Sequence, residues 1–228
     1  MFKEEATVNW TGVIAIDGPA GAGKSTVAKL VASKLGISYL DTGALYRALA
    51  YYLDSLSIPA QESPELRKAL FDVTVEIRAS SVFLNGTDVS SLIRTPAVDR
   101  IASLYSALPS VREKLLMLQR DQALKGGLVA DGRDMGTVVF PYAPVKVFLT
   151  AQAEVRAQRR YNELASRGVK VDYRKLLDEI LQRDEADAKR SIAPLKQAPG
   201  AVLLDSSSMN AEQVADAIAD IARAVCHV

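Results

Sequence analysis

The chain has one cysteine and one histidine, Cys226 and His227, side by side in its tail. A lone cysteine cannot close an internal disulfide and points to a reducing compartment. A lone histidine in the tail removes histidine-based acid–base catalysis and a histidine-rich metal site from consideration. No apolar run approaches the ~18 residues of a membrane span. The opening MFKEEATVNW lacks the apolar core of a signal peptide. Charge of one sign is also scarce: the formal balance is +1, so no global field recruits nucleic acid or an anionic membrane, and any cationic function has to be local. These absences describe a cytoplasmic protein with no nucleic-acid or membrane partner. What is present, 49% hydrophobic and 24% charged residues over 228 positions, is globular composition with enough chain for one good core and a satellite.

Residues 18–26 read GPAGAGKST and match GxxxxGK[ST]. An apolar stretch, Val13 to Ile16, precedes them. Val27, Leu30, Val31 and Leu35 follow at helical spacing. Strand, glycine loop and helix in that order are the context a phosphate loop requires. Gly18, Pro19, Ala20, Gly21, Ala22 and Gly23 let backbone N–H groups turn inward around phosphate oxygens. Lys24, Ser25 and Thr26 open the helix, whose dipole also favours anions. In such loops the lysine reaches the β- and γ-phosphates and the serine hydroxyl binds Mg²⁺. A regulatory GTPase would need an NKxD-like base reader and a DxxG switch. No Asn here is followed by Lys and no Asp has Gly three residues on, so ATP and a catalytic role are the better expectation.

Strands are expected at 13–16, 37–40, 128–131, 145–150 and 201–205, alternating with helices at 24–35, 43–54, 97–107, 110–124, 152–167, 173–190 and about 211–225. This pattern predicts a doubly wound α/β fold with five parallel core strands. Residues 59–95 differ. VTVEIR alternates apolar and polar, and SVFLNGTDV is two short strands around Asn-Gly, a hairpin signal. The partition expected is a tail at 1–11, a core at 12–58, 96–151 and 191–228, a β insert at 59–95, and a lid with an acceptor-side helix at 152–190.

On helix 173–190, Leu176, Ile180, Arg183, Asp187 and Arg190 lie within about 40° of one direction. A buried apolar face therefore runs on into something polar: an anion site, an inter-helix ion-pair network, or simply the surface. Arg47, Arg112 and Arg133 lie near strand C-terminal ends or helix entrances, where ligands of open α/β sheets collect. Together they suggest a second anion site. Phosphoryl transfer to a phosphate acceptor needs such cations and no general base, because that acceptor is already an oxyanion.

GPAGAGKST, LDTGALYRALA (40–50), the β insert, ADGRDMGTVVFP (130–141) and RDEADAKRSIAPL (183–195) together resemble bacterial cytidylate kinases, collinearly over roughly residues 12–225. The resemblance implies ATP + CMP or dCMP → ADP + CDP or dCDP, with Mg²⁺, by a monomer of core, monophosphate-binding domain and short lid. It implies that Arg47, Arg133 and Arg190 bind the CMP phosphate and Asp187 the ribose, with Arg183 on the reaction-centre side. It assigns cytosine to Ser103, Arg112 and Asp134, and sets Asp41 and Thr42 at the same substrate. The family often has Ser where this chain has Thr42, and the hydroxyl is retained. Arg156, Arg159 and Arg160 become donor-phosphate contacts of a closing lid, although Arg156, Arg160 and Arg167 with Glu163 also read as a solvated ion-paired face. Asp131 serves either Mg²⁺ or the turn that follows it. Other small acceptors (UMP, AMP, shikimate) and a nucleotide-sensing protein without rapid turnover are the competing readings.

Overall fold

The computed structural model describes residues 10–78, 81–166 and 168–226. In chain order these form β1 (Val13–Asp17), α1 (Lys24–Leu35), β2 (Ser38–Asp41), α2 (Thr42–Ser55), α3 (Pro64–Asp72), β3 (Val75–Arg78), β4 (Ser81–Leu84) and β5 (Thr87–Asp88). Then follow α4 (Pro96–Tyr105), α5 (Pro109–Ala123), β6 (Leu128–Gly132), β7 (Val145–Thr150), α6 (Ala153–Ser166), α7 (Tyr173–Lys189), β8 (Val202–Asp205) and α8 (Ala211–Cys226). Residues 1–9 of the expected tail, Arg167 and His227 lie outside the described residues.

The main sheet is five-stranded in the order β2-β6-β1-β7-β8, and every pairing is parallel. The doubly wound expectation therefore holds. Ile14, Ala15 and Ile16 of the central strand are fully buried, as strands covered on both faces must be. One face packs on α2, α4 and α5 through Leu45, Leu49, Val98 and Leu115, and the other on α1 and α8 through Val27, Val31, Val214 and Ile218. Trp10, within the stretch expected to be tail, is buried in the second cluster and donates its indole N–H to Gly12 O at 2.8 Å.

The insert holds the expected hairpin in a three-stranded antiparallel sheet, β3-β4-β5. It also holds α3, which the alternating pattern of that region does not announce. The local signals for α3 are a start signal rather than a periodicity: Ser63 caps Leu66 N, Pro64 occupies the first turn and Glu65 follows. Between β6 and β7, residues Met135–Val139 make a single wide π turn. Among the described residues no helix is long and apolar enough to cross a membrane.

Topology places the C-terminal ends of β1, β2 and β6 side by side, with Asp17 level with Gly132 and Asp41 level with Asp131. Every loop leaving these ends opens into one cleft.

Candidate active site

The cleft has a volume of about 1230 Å³, above the roughly 300–1,000 Å³ of a typical single-ligand pocket. Eleven Lys and Arg line it against seven Asp and Glu. The chain as a whole is nearly neutral, so the cationic excess is gathered where ligands of such sheets bind.

At one end lies the glycine loop. Gly18, at φ +153, brings its backbone so close to β7 that a Cβ would sit 1.9 Å from Leu149 O. Gly18 and Pro19 shape the loop from below, while Ala20 to Thr26 line the cleft. Gly23 takes φ 89 and α1 begins at Lys24. Lys24 is buried and donates to Pro19 O at 2.8 Å. Burial, and then Arg133 beside it, lower its pKa well below the ordinary lysine value, so its charge lacks a full counter-ion.

Ser25 Oγ donates to Asp131 Oδ2 at 2.9 Å, and Tyr39 Oη donates to Asp131 Oδ1 at 2.8 Å. Burial, with Asp41 nearby, raises the Asp131 carboxyl, and Lys24 only partly offsets this. A buried carboxylate beside a hydroxyl, short of cationic compensation, is a donor set that fits Mg²⁺. No group of three or more His, Cys, Asp or Glu able to hold a metal occurs among the described residues, so such an ion would complete its shell with water and phosphate oxygens. Thr42 is also committed here: its hydroxyl donates to Asp131 O at 2.6 Å.

Across the cleft stand the remaining expected residues. The α7 stripe faces inward as its spacing suggests, and it is both ion-paired and cleft-lining. Arg133 Nε donates to Asp187 Oδ2 at 2.7 Å, and Arg190 Nη1 lies 3.8 Å from Asp187 Oδ1. Arg47 Nη2 reaches Asp41 Oδ2 at 3.2 Å, while Asp41 Oδ1 caps α2 through Ala44 N. Arg112 donates to Asp134, is held by Ser106 O at 3.0 Å, and lies over the Tyr46 ring. Asp134 is only 2% exposed, and Ser103 lines the same wall. Asp17 fixes this region: its oxygens accept the N–H of Met135 at 2.7 Å and of Gly136 at 2.8 Å, just after Arg133 and Asp134.

Three buried guanidinium N–H groups, Arg47 Nε, Arg183 Nε and Arg190 Nη2, find no acceptor among the described residues. Burial, followed by Arg133, depresses Arg183 from its ordinary pKa, and burial does the same to Arg190. Arginine does not surrender its proton at such shifts, so these buried guanidinium groups stay charged.

The three α6 arginines divide. Arg159 lines the cleft and bonds Ser206 and Met209 O. Arg160 lines it too, bridging Glu163 at 2.9 Å and Asp99 at 3.0 Å. Arg156 does not: its guanidinium faces Ala20 O, Ala151 O and Asp184 instead of the opening. Asp99, Tyr39, Asp17 and Asp184 are partners that sequence did not single out. Asp99 had a signal, since it lies one turn before Ser103 on the same face of α4. The others act through contacts of high sequence separation.

A family model described as cytidylate kinase matches residues 14–224. The chain belongs to the cytidylate kinase family. It is 47% identical over 215 residues to a cytidylate kinase of Fervidobacterium nodosum, covering 94% of this chain and 98% of that one. It is 49% identical to that of Colwellia psychrerythraea over 213 residues, 91% and 94% of the two chains. Among solved structures, a gluconokinase of Sinorhizobium meliloti superposes at TM-score 0.50 with 17% identity over 96% of this chain and 95% of that one. An uncharacterized protein of Eubacterium ventriosum superposes at 0.53 with 14% identity over 92% and 98%. These two show the fold alone.

Proposed function

We propose that the cleft transfers the γ-phosphoryl group of ATP to CMP or dCMP, giving ADP and CDP or dCDP. The observation that carries this reading is a set of arginines, each with a buried N–H that has no acceptor among the described residues, lining one cleft together with a phosphate loop. Two phosphorylated ligands brought together repel, and charge spreads over the transferred group. Fixed cations relieve both effects without reorganising during the reaction.

Ala20 to Thr26 would cradle the triphosphate, with Lys24 leaving Pro19 O for phosphate oxygens. Ser25 and Asp131 would hold Mg²⁺, which supplies charge neutralisation on the phosphates. Arg159 and Arg160 would face the donor from the lid, excluding water as the lid closes. Arg47, Arg133 and Arg190 would bind the acceptor phosphate, Arg183 would sit by the transferring group, Asp187 would meet the ribose, and Asp41 and Thr42 would belong to the same substrate site. Cytosine offers an amino donor at N4 and acceptors at N3 and O2. The buried Asp134 carboxylate can accept from N4 while Arg112 and Ser103 donate to the ring. Uracil, with a carbonyl at position 4, would meet Asp134 acceptor to acceptor, a mismatch that discriminates strongly when buried. The insert at 59–95 and the lid at 152–190 would move on the core. A monomer suffices, because one chain supplies both sides of the cleft, and we place the enzyme in cytoplasmic pyrimidine nucleotide metabolism.

The test is whether ADP release waits for the acceptor. Turnover of Mg-ATP should be slight alone and rise at least ~100-fold with CMP. Turnover indifferent to any monophosphate would instead mark a nucleotide-sensing protein.

A further inference from the structure

Arg156 is only 5% exposed, yet it faces away from the cleft. Its Nη1 donates to Ala20 O at 2.8 Å and its Nε to Ala151 O at 2.8 Å. Nη1 also lies 2.6 Å from Asp184 Oδ2, and the other Asp184 oxygen accepts the Ala20 N–H at 3.2 Å. Both backbone polar groups of Ala20, a cleft-lining residue of the phosphate loop, are therefore held from outside the loop, one by α6 and one by α7. Gly21 gives an independent sign of the same approach. It adopts φ +75, and a Cβ there would meet Arg156 Cβ at 3.1 Å. Helix α6 rests on the loop at a separation suited to glycine.

We propose that Arg156 and Asp184 are positioning residues that set the spacing between the donor loop and the acceptor-side arginines. The inference rests on the phosphoryl-transfer reading and adds to it. Asp184 directly follows Arg183 and precedes Asp187 by one turn, so wherever Ala20 holds Asp184, the inward stripe of α7 is held as well. The acceptor groups are thereby indexed to the phosphates they must meet. In-line transfer depends on such spacing, and a misplacement of ~1 Å costs about 10²-fold in rate. Arg156 is not a nucleotide ligand in this arrangement, because its Nε and Nη1 donors already have protein acceptors and its charge is matched by Asp184.

The experiment compares Asp184→Asn, Arg156→Gln and Arg156→Lys with the parent chain by steady-state kinetics and by the Ala20 amide resonance in nucleotide-free protein. Asp184→Asn and Arg156→Gln should lower kcat by about 10–100-fold while the KM values for ATP and CMP change less than about threefold. The double variant should be little worse than either single one, because the pair acts as a unit. Arg156→Lys, which keeps the charge, should recover part of the loss. The Ala20 amide should shift in Asp184→Asn whatever the activity. That readout separates failure of the clamp from failure of the kinase reading, for which CMP-dependent turnover of the parent chain is the control. A KM for ATP raised tenfold at unchanged kcat in Arg156→Gln would make Arg156 a direct donor contact and overturn the proposal. So would lowered thermal stability with unchanged kinetics of the folded fraction and an unmoved Ala20 amide. If Arg156→Gln does not fold, Arg156→Lys and Asp184→Asn decide the matter.

Discussion

Arg133 donates Nε to Asp187 Oδ2 across 2.7 Å, tying the turn after β6 to the inward face of α7. Burial opposes ionisation of Asp187, but Arg133, with Arg190 and Arg183, outweighs it and holds the carboxyl below its ordinary value. Asp187→Asn is expected to lower kcat/KM for CMP by about 10–100-fold, the loss of one charge-assisted bond, with KM for ATP nearly unchanged. A folded pKa below the unfolded one means that the pair's stability is present above about pH 4 and lost as pH falls through the depressed folded value. Acid titrations of unfolding should show that loss in the parent chain and a smaller one in the variant.

Asp17 behaves with the opposite sign. Burial, only partly offset by the N–H groups of Gly136 and Met135, raises its pKa from 3.8 to about 6. The folded state then binds the proton more tightly, so stability falls as pH rises between those values, by roughly 3 kcal/mol in the limit. Asp17→Asn should flatten this part of the profile. Denaturant midpoints at pH 4.5 and pH 7 for both proteins, taken as a difference of differences, measure the effect.

Asp134→Asn exchanges an acceptor for a group that can also donate. The ratio of kcat/KM for CMP over UMP should fall by at least about tenfold, chiefly through a better rate with UMP. An unchanged ratio removes Asp134 from base recognition.

Tyr39→Phe deletes the hydroxyl that orients Asp131 and leaves the aromatic body in place. If Asp131 serves Mg²⁺, the magnesium concentration at half-maximal rate should rise about 10-fold or more, with KM for CMP steady, as for other groups that orient metal ligands. A Mg²⁺ dependence like that of the parent chain assigns Asp131 to the turn alone.

The parts legible in the sequence are those set by local rules. The central strands were readable as short apolar runs, because Ile14, Ile16, Val147 and Leu149 are buried on a sheet covered on both faces, while the edge strand β8 keeps an apolar run although Val202 and Leu203 are exposed. The phosphate loop was readable from its residues and flanks, and the α7 stripe from its spacing, which left an anion site, an ion-pair network and the surface all open. α3 was not, since it exposes Phe71 and buries only Leu66, Ala69 and Leu70, too few for a clear period. The direction of Arg156 was equally hidden. Arg156, Arg159 and Arg160 share one helix segment, and only the position of Ala20 and Asp184, brought in by tertiary folding, turns the first away from the cleft while the other two line it. The Tyr39–Asp131 bond spans 92 residues, beyond any pattern of neighbours.

The most direct test of the central claim is the initial rate of ADP formation from Mg-ATP with CMP, dCMP, UMP, AMP and GMP offered separately. The arrangement of Asp134, Arg112 and the cleft arginines predicts fast turnover with CMP and dCMP and rates at least about 100-fold lower with the other three. Equal rates with CMP and UMP would contradict the cytosine assignment, and turnover independent of every monophosphate would contradict the kinase itself.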